Sequence, residues 1–117
     1  MLEVGHVNCY YGDFQALYEV TIEVFLNEIV AIAGANAAGK TSLLMAISGV
    51  LPKVTGEIRF GDQDLGSLSA YKRAECGIVQ IPEGRQLFPF MTVLENLEIG
   101  AYVPEARKRR AETLEWV

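Results

Sequence analysis

The feature that most constrains this chain runs from Glu28 to Val50, E-I-V-A-I-A-G-A-N-A-A-G-K-T-S-L-L-M-A-I-S-G-V. Within it, Gly34 to Thr41 match the phosphate-binding pattern G-x-x-x-x-G-K-[ST]. The flanks agree with the motif. Ile29 to Ala33 is an apolar run of strand type, and Leu43, Leu44, Ile47 and Val50 recur at helical spacing. A nucleoside triphosphate is strongly negative and heavily hydrated, so a protein that holds one must replace water with many aimed donors. A tight loop of backbone N–H groups at a helix N-terminus does this, and the helix dipole adds to the attraction. The candidate contacts are Gly34, Ala35, Asn36, Ala37, Ala38, Gly39, Lys40, Thr41 and Ser42. In this motif the lysine, Lys40, reaches the β- and γ-phosphates, and the hydroxyl of Thr41 ligates Mg²⁺. The competing reading is a strand-to-helix turn that is glycine-rich by chance. Residue identities and flanking pattern argue against it independently.

Composition excludes several classes. Half of the 117 residues are apolar, enough for one small domain with a core. Acidic side chains number 15 against 10 basic, and the net charge of −5 offers no bulk attraction to nucleic acid. No apolar run spans a bilayer, and the start, M-L-E-V-G-H-V-N, lacks the basic and apolar regions of a signal peptide. A cytosolic protein is expected. Cys9 and Cys76 match no metal or redox spacing and are expected as reduced, buried or half-buried thiols. His6, the single histidine, is expected as a strand side chain.

In chain order, Leu2 to Asn8 partly alternates, and Val20, Ile22 and Val24 alternate with Thr21 and Glu23. These predict an antiparallel hairpin, with a turn over Cys9–Asp13, feeding a strand at Ile29–Ala33. Asn27 suits the turn before Glu28, because asparagine tolerates positive φ. Residues 40–49 predict a helix ended by Gly49 and Pro52. Gly56–Gly61 predicts a short strand closed by a Gly-Asp turn, Ser67–Glu75 a short helix, and Gly77–Ile81 a buried strand. Thr92-Val93-Leu94-Glu95 is a capping box that opens a helix to Ile99. From Pro104 the chain is expected to be helical to its end, with a Lys108–Glu112 pair, and Arg107–Arg110 reads as a solvated basic face. Strands alternating with helices after residue 28 predict an α/β class with a mainly parallel core sheet, and a smaller antiparallel layer beside it.

Taken together, Tyr11-Gly12, the phosphate loop, Gly56-Glu57-Ile58 and P-E-G-R-Q-L-F-P-F-M-T-V-L-E-N-L at 82–97 resemble the ATPase subunits of ABC transporters. The nearest resemblance is to the subunits of branched-chain amino-acid importers, and P-E-G-R before L-F-P carries it. The resemblance runs in register along the chain. It implies a P-loop NTPase core with an N-terminal antiparallel β layer over residues 1–82, and a Q-loop and the beginning of a helical subdomain over 83–117. It implies ATP and Mg²⁺ as ligands, and a function in powering import. Tyr11 matches the aromatic that stacks on adenine, a contact worth about 1–3 kcal/mol for a base on an aromatic ring. Tyr10 competes with it, and a turn tyrosine packed on the hairpin is the structural alternative. Glu83, six residues before Pro89, falls where most members carry the Q-loop glutamine that touches Mg²⁺ and the attacking water. A carboxylate can ligate Mg²⁺ but cannot donate when ionised. The alternative is a loop carboxylate paired with Arg85. Residues 84–100 resemble the surface that docks on membrane-spanning subunits, with core packing of Leu87–Met91 as the alternative. A second ATPase subunit is implied as partner, nucleic acid is not, and the assembled protein is expected on the inner face of the membrane.

The chain departs from the family at Ala37, where members carry glycine. If that position needs positive φ, alanine costs roughly 1–2 kcal/mol. Asn27 in place of glycine is a milder change. The signature L-S-G-G-Q, an apolar run ending in Asp-Glu, and a switch histidine do not occur in the sequence. The chain therefore reads as the N-terminal half of such a subunit, an incomplete fold that binds nucleotide without turnover and tends to aggregate. Two alternatives stand beside this: a different P-loop enzyme such as a nucleoside kinase, and a non-catalytic module that only docks on a transporter subunit.

Overall fold

The computed structural model describes residues 1–35, 39–84 and 86–117, and the chain divides into two compact units, Met1–Gln80 and Ile81–Val117. The first unit is built on a four-stranded antiparallel sheet of order β2-β1-β3-β4, with β1 at Leu2–Tyr11, β2 at Phe14–Val24, β3 at Val54–Phe60 and β4 at Gln63–Asp64. Two helices accompany it, α1 at Lys40–Ser48 and α2 at Ala70–Glu75. The expected hairpin is present but longer. Pairing continues to Tyr11↔Phe14, so the turn expected over Cys9–Asp13 contracts to Gly12-Asp13. The Gly-Asp turn after Phe60 leads into β4, a strand the sequence pattern did not predict.

Weak alternation in the first strand has a structural cause. Val4 and Val7 are three apart, which in a regular strand places them on opposite faces. Both are buried, and so is Cys9. The register shifts between Val4 and Val7, where His6 has a φ of 50°, and Glu19 in β2 mirrors it at 48°. Each bulge adds one residue and returns the next apolar side chain to the core face. The amide of His6, displaced from the ladder, donates to the Thr21 hydroxyl at 3.1 Å. β3 crosses the bulge closely. A Cβ on Gly56 would lie 2.4 Å from the His6 carbonyl oxygen. On the core face, Leu43, Ala46 and Ile47 of α1 join Val4, Val7, Leu17 and Ile58 in one apolar cluster.

Two sequence expectations are corrected here. Ile29–Ala33 and Gly77–Ile81 form no strand, and among the described residues neither pairs with another segment. Ile29 is 99% exposed and Ile81 91%. A strand is held by its neighbours' N–H and C=O groups, and β-branched composition alone supplies none. The α/β class and the antiparallel layer hold; the parallel strands are not formed among the described residues. The turn before Glu28 is as expected, with Asn27 at a φ of 60°. The helix expected over Ser67–Glu75 is shorter and starts after Ser69, whose hydroxyl accepts from the Lys72 amide at 3.3 Å.

The second unit is helical: α3 at Val93–Gly100, α4 at Pro104–Lys108 and α5 at Arg110–Trp116. The capping box is complete. Thr92 Oγ1 accepts from the Glu95 amide at 3.1 Å, and Glu95 Oε2 accepts from the Thr92 amide at 3.3 Å. The helix expected from Pro104 onward is broken at Arg109, where φ is −103° and ψ 11°. The break replaces the expected Lys108–Glu112 pair by Lys108–Glu105 and Arg109–Glu112, each at 3.5 Å.

Candidate functional site

The N-terminus of α1 is the centre of the site. Gly39 precedes it in the left-handed region, with φ 91° and ψ 10°. A Cβ there would lie 2.7 Å from Leu17 Cδ2 and 2.9 Å from the Ala16 carbonyl oxygen. Glycine is therefore required twice, for its backbone angle and for the close approach of the loop to β2. The Gly39 carbonyl accepts the first helical bond, from Leu43 at 2.9 Å. Among the described residues no side chain caps the helix, and its first turn carries no acidic residue. The leading N–H groups thus keep their capacity to donate to an anion, at the positive end of the helix dipole. Lys40 is half-buried, and its ammonium donates to the Gly34 carbonyl at 2.5 Å, which joins the two ends of the loop. Thr41 is exposed on the first turn, its hydroxyl accessible to a ligand. Gly34 and Ala35 are exposed, and Asn36, Ala37 and Ala38 lie outside the described residues.

Tyr11 comes to this helix from a different part of the chain. It ends β1, is 44% exposed, and its hydroxyl sits 3.0 Å from Ser42 Oγ. Tyr11 is the last residue of β1, beside the Gly12-Asp13 turn, and Ser42 is buried on the first turn of α1. Two residues 31 positions apart, both assigned to nucleotide contact from sequence, are therefore in direct contact. Tyr10 instead has the Lys53 ammonium over its ring at 5.0 Å, and its amide donates to the Lys53 carbonyl. A cation therefore already covers one face of Tyr10.

Glu83 lies exposed in a bend at the start of the second unit, and its suggested partner Arg85 is outside the described residues. Leu87, Phe88 and Phe90 are exposed rather than packed, with Phe90 at 101%. Their loop is folded around Asn96. Its carboxamide oxygen accepts from the Phe88 amide at 2.9 Å, and its nitrogen donates to the carbonyls of Phe88 and Thr92.

Sequence reasoning passed over two residues that support α1. Gln80, within the segment expected as a buried strand, accepts from the Ser48 hydroxyl at 2.8 Å. Arg73 is buried beneath the other end of the helix and donates to the Ala46 and Ile47 carbonyls at 2.8 and 3.0 Å. Burial pulls its guanidinium below the usual value, and the charge of Asp64 opposes this. A charged side chain inside a short amphipathic helix looks like surface, and only its carbonyl partners distinguish it.

The family model described as ABC transporter matches residues 17–117. The chain is 41% identical over 102 residues to the high-affinity branched-chain amino acid transport ATP-binding protein BraG of Pseudomonas aeruginosa, covering 87% of this chain and 44% of BraG. It is 34% identical over 108 residues to the sulfate/thiosulfate import ATP-binding protein CysA of Photorhabdus laumondii, covering 92% of this chain and 29% of that protein. Among solved structures it is similar to the dimeric bacterial ABC transporter cassette MJ0796, with a TM-score of 0.75 and 25% identity over 98% of this chain and 56% of that one. It is also similar to cbiO1 of Clostridium perfringens, with a TM-score of 0.67 and 26% identity over 97% of this chain and 49% of that one. The chain spans about half the length of the relatives it matches, or less.

Proposed function

This chain belongs to the ABC transporter family, and on that premise we propose that its first unit binds Mg-ATP at the N-terminus of α1. The observation that carries the proposal is the uncapped first turn of α1, bearing Lys40 and Thr41, with Tyr11 fastened beside it through Ser42. The parts fit the ligand in sequence. The N–H groups after Gly39 and the Lys40 ammonium take phosphate oxygens. Thr41 offers a hydroxyl to Mg²⁺, and the Tyr11 ring offers a flat face to the base. Mg²⁺ supplies neutralisation of the phosphate charge, and the residues here hold and orient what it neutralises. Glu83 is proposed as the Q-loop residue.

In the complete protein, this site serves ATP hydrolysis that powers import. Similarity to BraG supports branched-chain amino acids as the solute, and similarity to CysA, named for sulfate and thiosulfate import, supports import in the broader sense. Exposed Leu87, Phe88 and Phe90 support residues 84–100 as the surface toward membrane-spanning subunits, and the dimeric MJ0796 cassette supports a second ATPase subunit as partner. No described helix is long and apolar enough to cross a membrane, which is compatible with a peripheral place on its inner face. The family match favours transport over the small-acceptor kinase alternative.

Titration of residues 1–117 with a fluorescent ATP analogue tests the site. Saturable, Mg²⁺-dependent binding is expected, weakened at least tenfold in Lys40→Ala, with no sustained phosphate release. Absence of saturable binding in the unsubstituted chain sinks the nucleotide assignment. Sustained release that depends on Lys40 overturns the assignment of turnover to the complete protein alone.

A further inference from the structure

We propose that Arg73 is a positioning residue for the phosphate loop: it holds the C-terminal end of α1 and so aims the N-terminal end, where Lys40, Thr41 and Ser42 lie. The inference rests on the nucleotide-binding reading above, and the geometry behind it is separate. Arg73 is 7% exposed, the least accessible charged side chain among the described residues. Two of its three guanidinium nitrogens are engaged by backbone carbonyls. Nη1 donates to the Ala46 and Ile47 carbonyls, and Nε donates to the Leu68 carbonyl at 3.1 Å. The first two acceptors lie in the last turn of α1, where carbonyls have no intrahelical partner and the helix dipole is negative. The third lies just before α2, so one side chain ties two elements together.

The packing around the guanidinium is equally specific. Gly49 ends α1 with a φ of 86°, and a Cβ there would lie 3.0 Å from both Arg73 Cδ and Nε. Glycine leaves the room that the arginine fills. Among the described residues no carboxylate is within ion-pair distance of Arg73, so its direct partners are backbone carbonyls, with Asp64 acting at longer range. A buried charge is costly to keep, and an apolar residue of the same volume would stabilise the fold comparably if filling space were the only requirement. Such a residue leaves the Ala46 and Ile47 carbonyls without a donor.

The need for a clamp follows from the size of α1. It has nine residues, and only Ser42, Leu43, Ala46 and Ile47 are buried. Those side chains hold the helix on the sheet but leave rotation and sliding weakly opposed. Gly39 against β2 and Tyr11 on Ser42 restrain the front; Arg73 restrains the back. Phosphate donors must be placed to a few tenths of an ångström, and a misplacement of about 1 Å costs roughly a hundredfold in comparable sites.

The test uses the full chain with Arg73→Lys and Arg73→Met. Lysine keeps the charge without the fork, and methionine keeps the volume without either. Amide hydrogen exchange is read over Lys40–Ser48 and, as reference, over β1 and β3, together with the affinity for a fluorescent ATP analogue. Expected is exchange at least tenfold faster in α1 with the reference strands within twofold, and an affinity at least tenfold weaker, in both variants. Exchange in α1 within twofold of the parent in Arg73→Lys overturns the proposal. So does uniform acceleration across α1, β1 and β3, which marks simple loss of stability, and so does a loosened α1 with unchanged affinity. If the parent chain fails to bind nucleotide, the site assignment falls, and the inference about nucleotide falls with it whatever α1 does. A parent that binds, with variants that behave as the parent, removes Arg73 and leaves the site standing.

Discussion

Gly39 shows how much one residue can be asked to do. Its φ of 91° excludes most side chains, and the Ala16 carbonyl at 2.9 Å from a built Cβ excludes the smallest one. Gly61 isolates the first effect, since it has a φ of 60° and nothing within 4 Å of its Cβ position. Gly61→Ala is expected to cost about 1 kcal/mol, the ordinary left-handed penalty. Gly39→Ala is expected to cost at least about 2 kcal/mol, because β2 must also give way. Urea unfolding of both variants decides the matter, and equal costs would mean that the approach to β2 carries no energy. Gly39 was legible as a loop glycine; its packing on β2 was not, because the contact joins segments more than twenty positions apart. Cys9 was legible as a buried thiol, and the structure buries it completely, which pushes its thiol above the ordinary value of 9.0. The role of Arg73 was hidden for the opposite reason. Its chemistry suggests solvent, and its three acceptors are backbone atoms that no residue type announces.

At the scale of elements, locally encoded features survived and pairing did not always follow. The α3 capping box needs only Thr92 and Glu95, three residues apart, and both bonds form. Thr92→Ala is expected to cost α3 about 1 kcal/mol, seen as roughly fivefold faster exchange of its first amides. Unchanged exchange there would show that the box contributes nothing to this helix. The hairpin was visible from β-branched alternation, but its bulges at His6 and Glu19 were not, because a period-two pattern cannot register an inserted residue. Ile29–Ala33 and Gly77–Ile81 have strand composition and no ladder among the described residues. Their misassignment as strands has a single origin: composition reports what a segment can pair with, and a partner strand must be supplied from elsewhere.

For the whole molecule the balance is one of surface. A folded chain of 12.9 kDa exposes about 6,300 Å², and two separately compact units of these sizes about 7,500 Å². This chain exposes 8968 Å², including Ile29, Val79 and Ile81. Unpaired apolar segments of this kind template association. Ile29→Lys and Val79→Lys together are expected to raise the concentration at which aggregation begins several-fold, while unfolding stability changes by less than about 0.5 kcal/mol per site. Light scattering across a concentration series, with denaturation on the soluble fraction, measures both. A stability loss above about 2 kcal/mol would place those side chains in a core.

The sequence by itself determined the chemistry of the site. Gly39, Lys40, Thr41 and the helix after them are local, and their spacing is enough to specify a glycine-led helix start that carries the proposed phosphate contacts. The caps, the turn at Asn27 and the hairpin are local as well. Tertiary structure alone decided that Tyr11 rests on Ser42, that bulges return Val7 and Cys9 to the core, and that Arg73 secures α1 from behind. It also decided that two strand-like segments stay unpaired. The physical reason is common to all four. Each depends on backbone groups or surfaces brought together from distant parts of the chain, and no residue's own composition records who its neighbour will be.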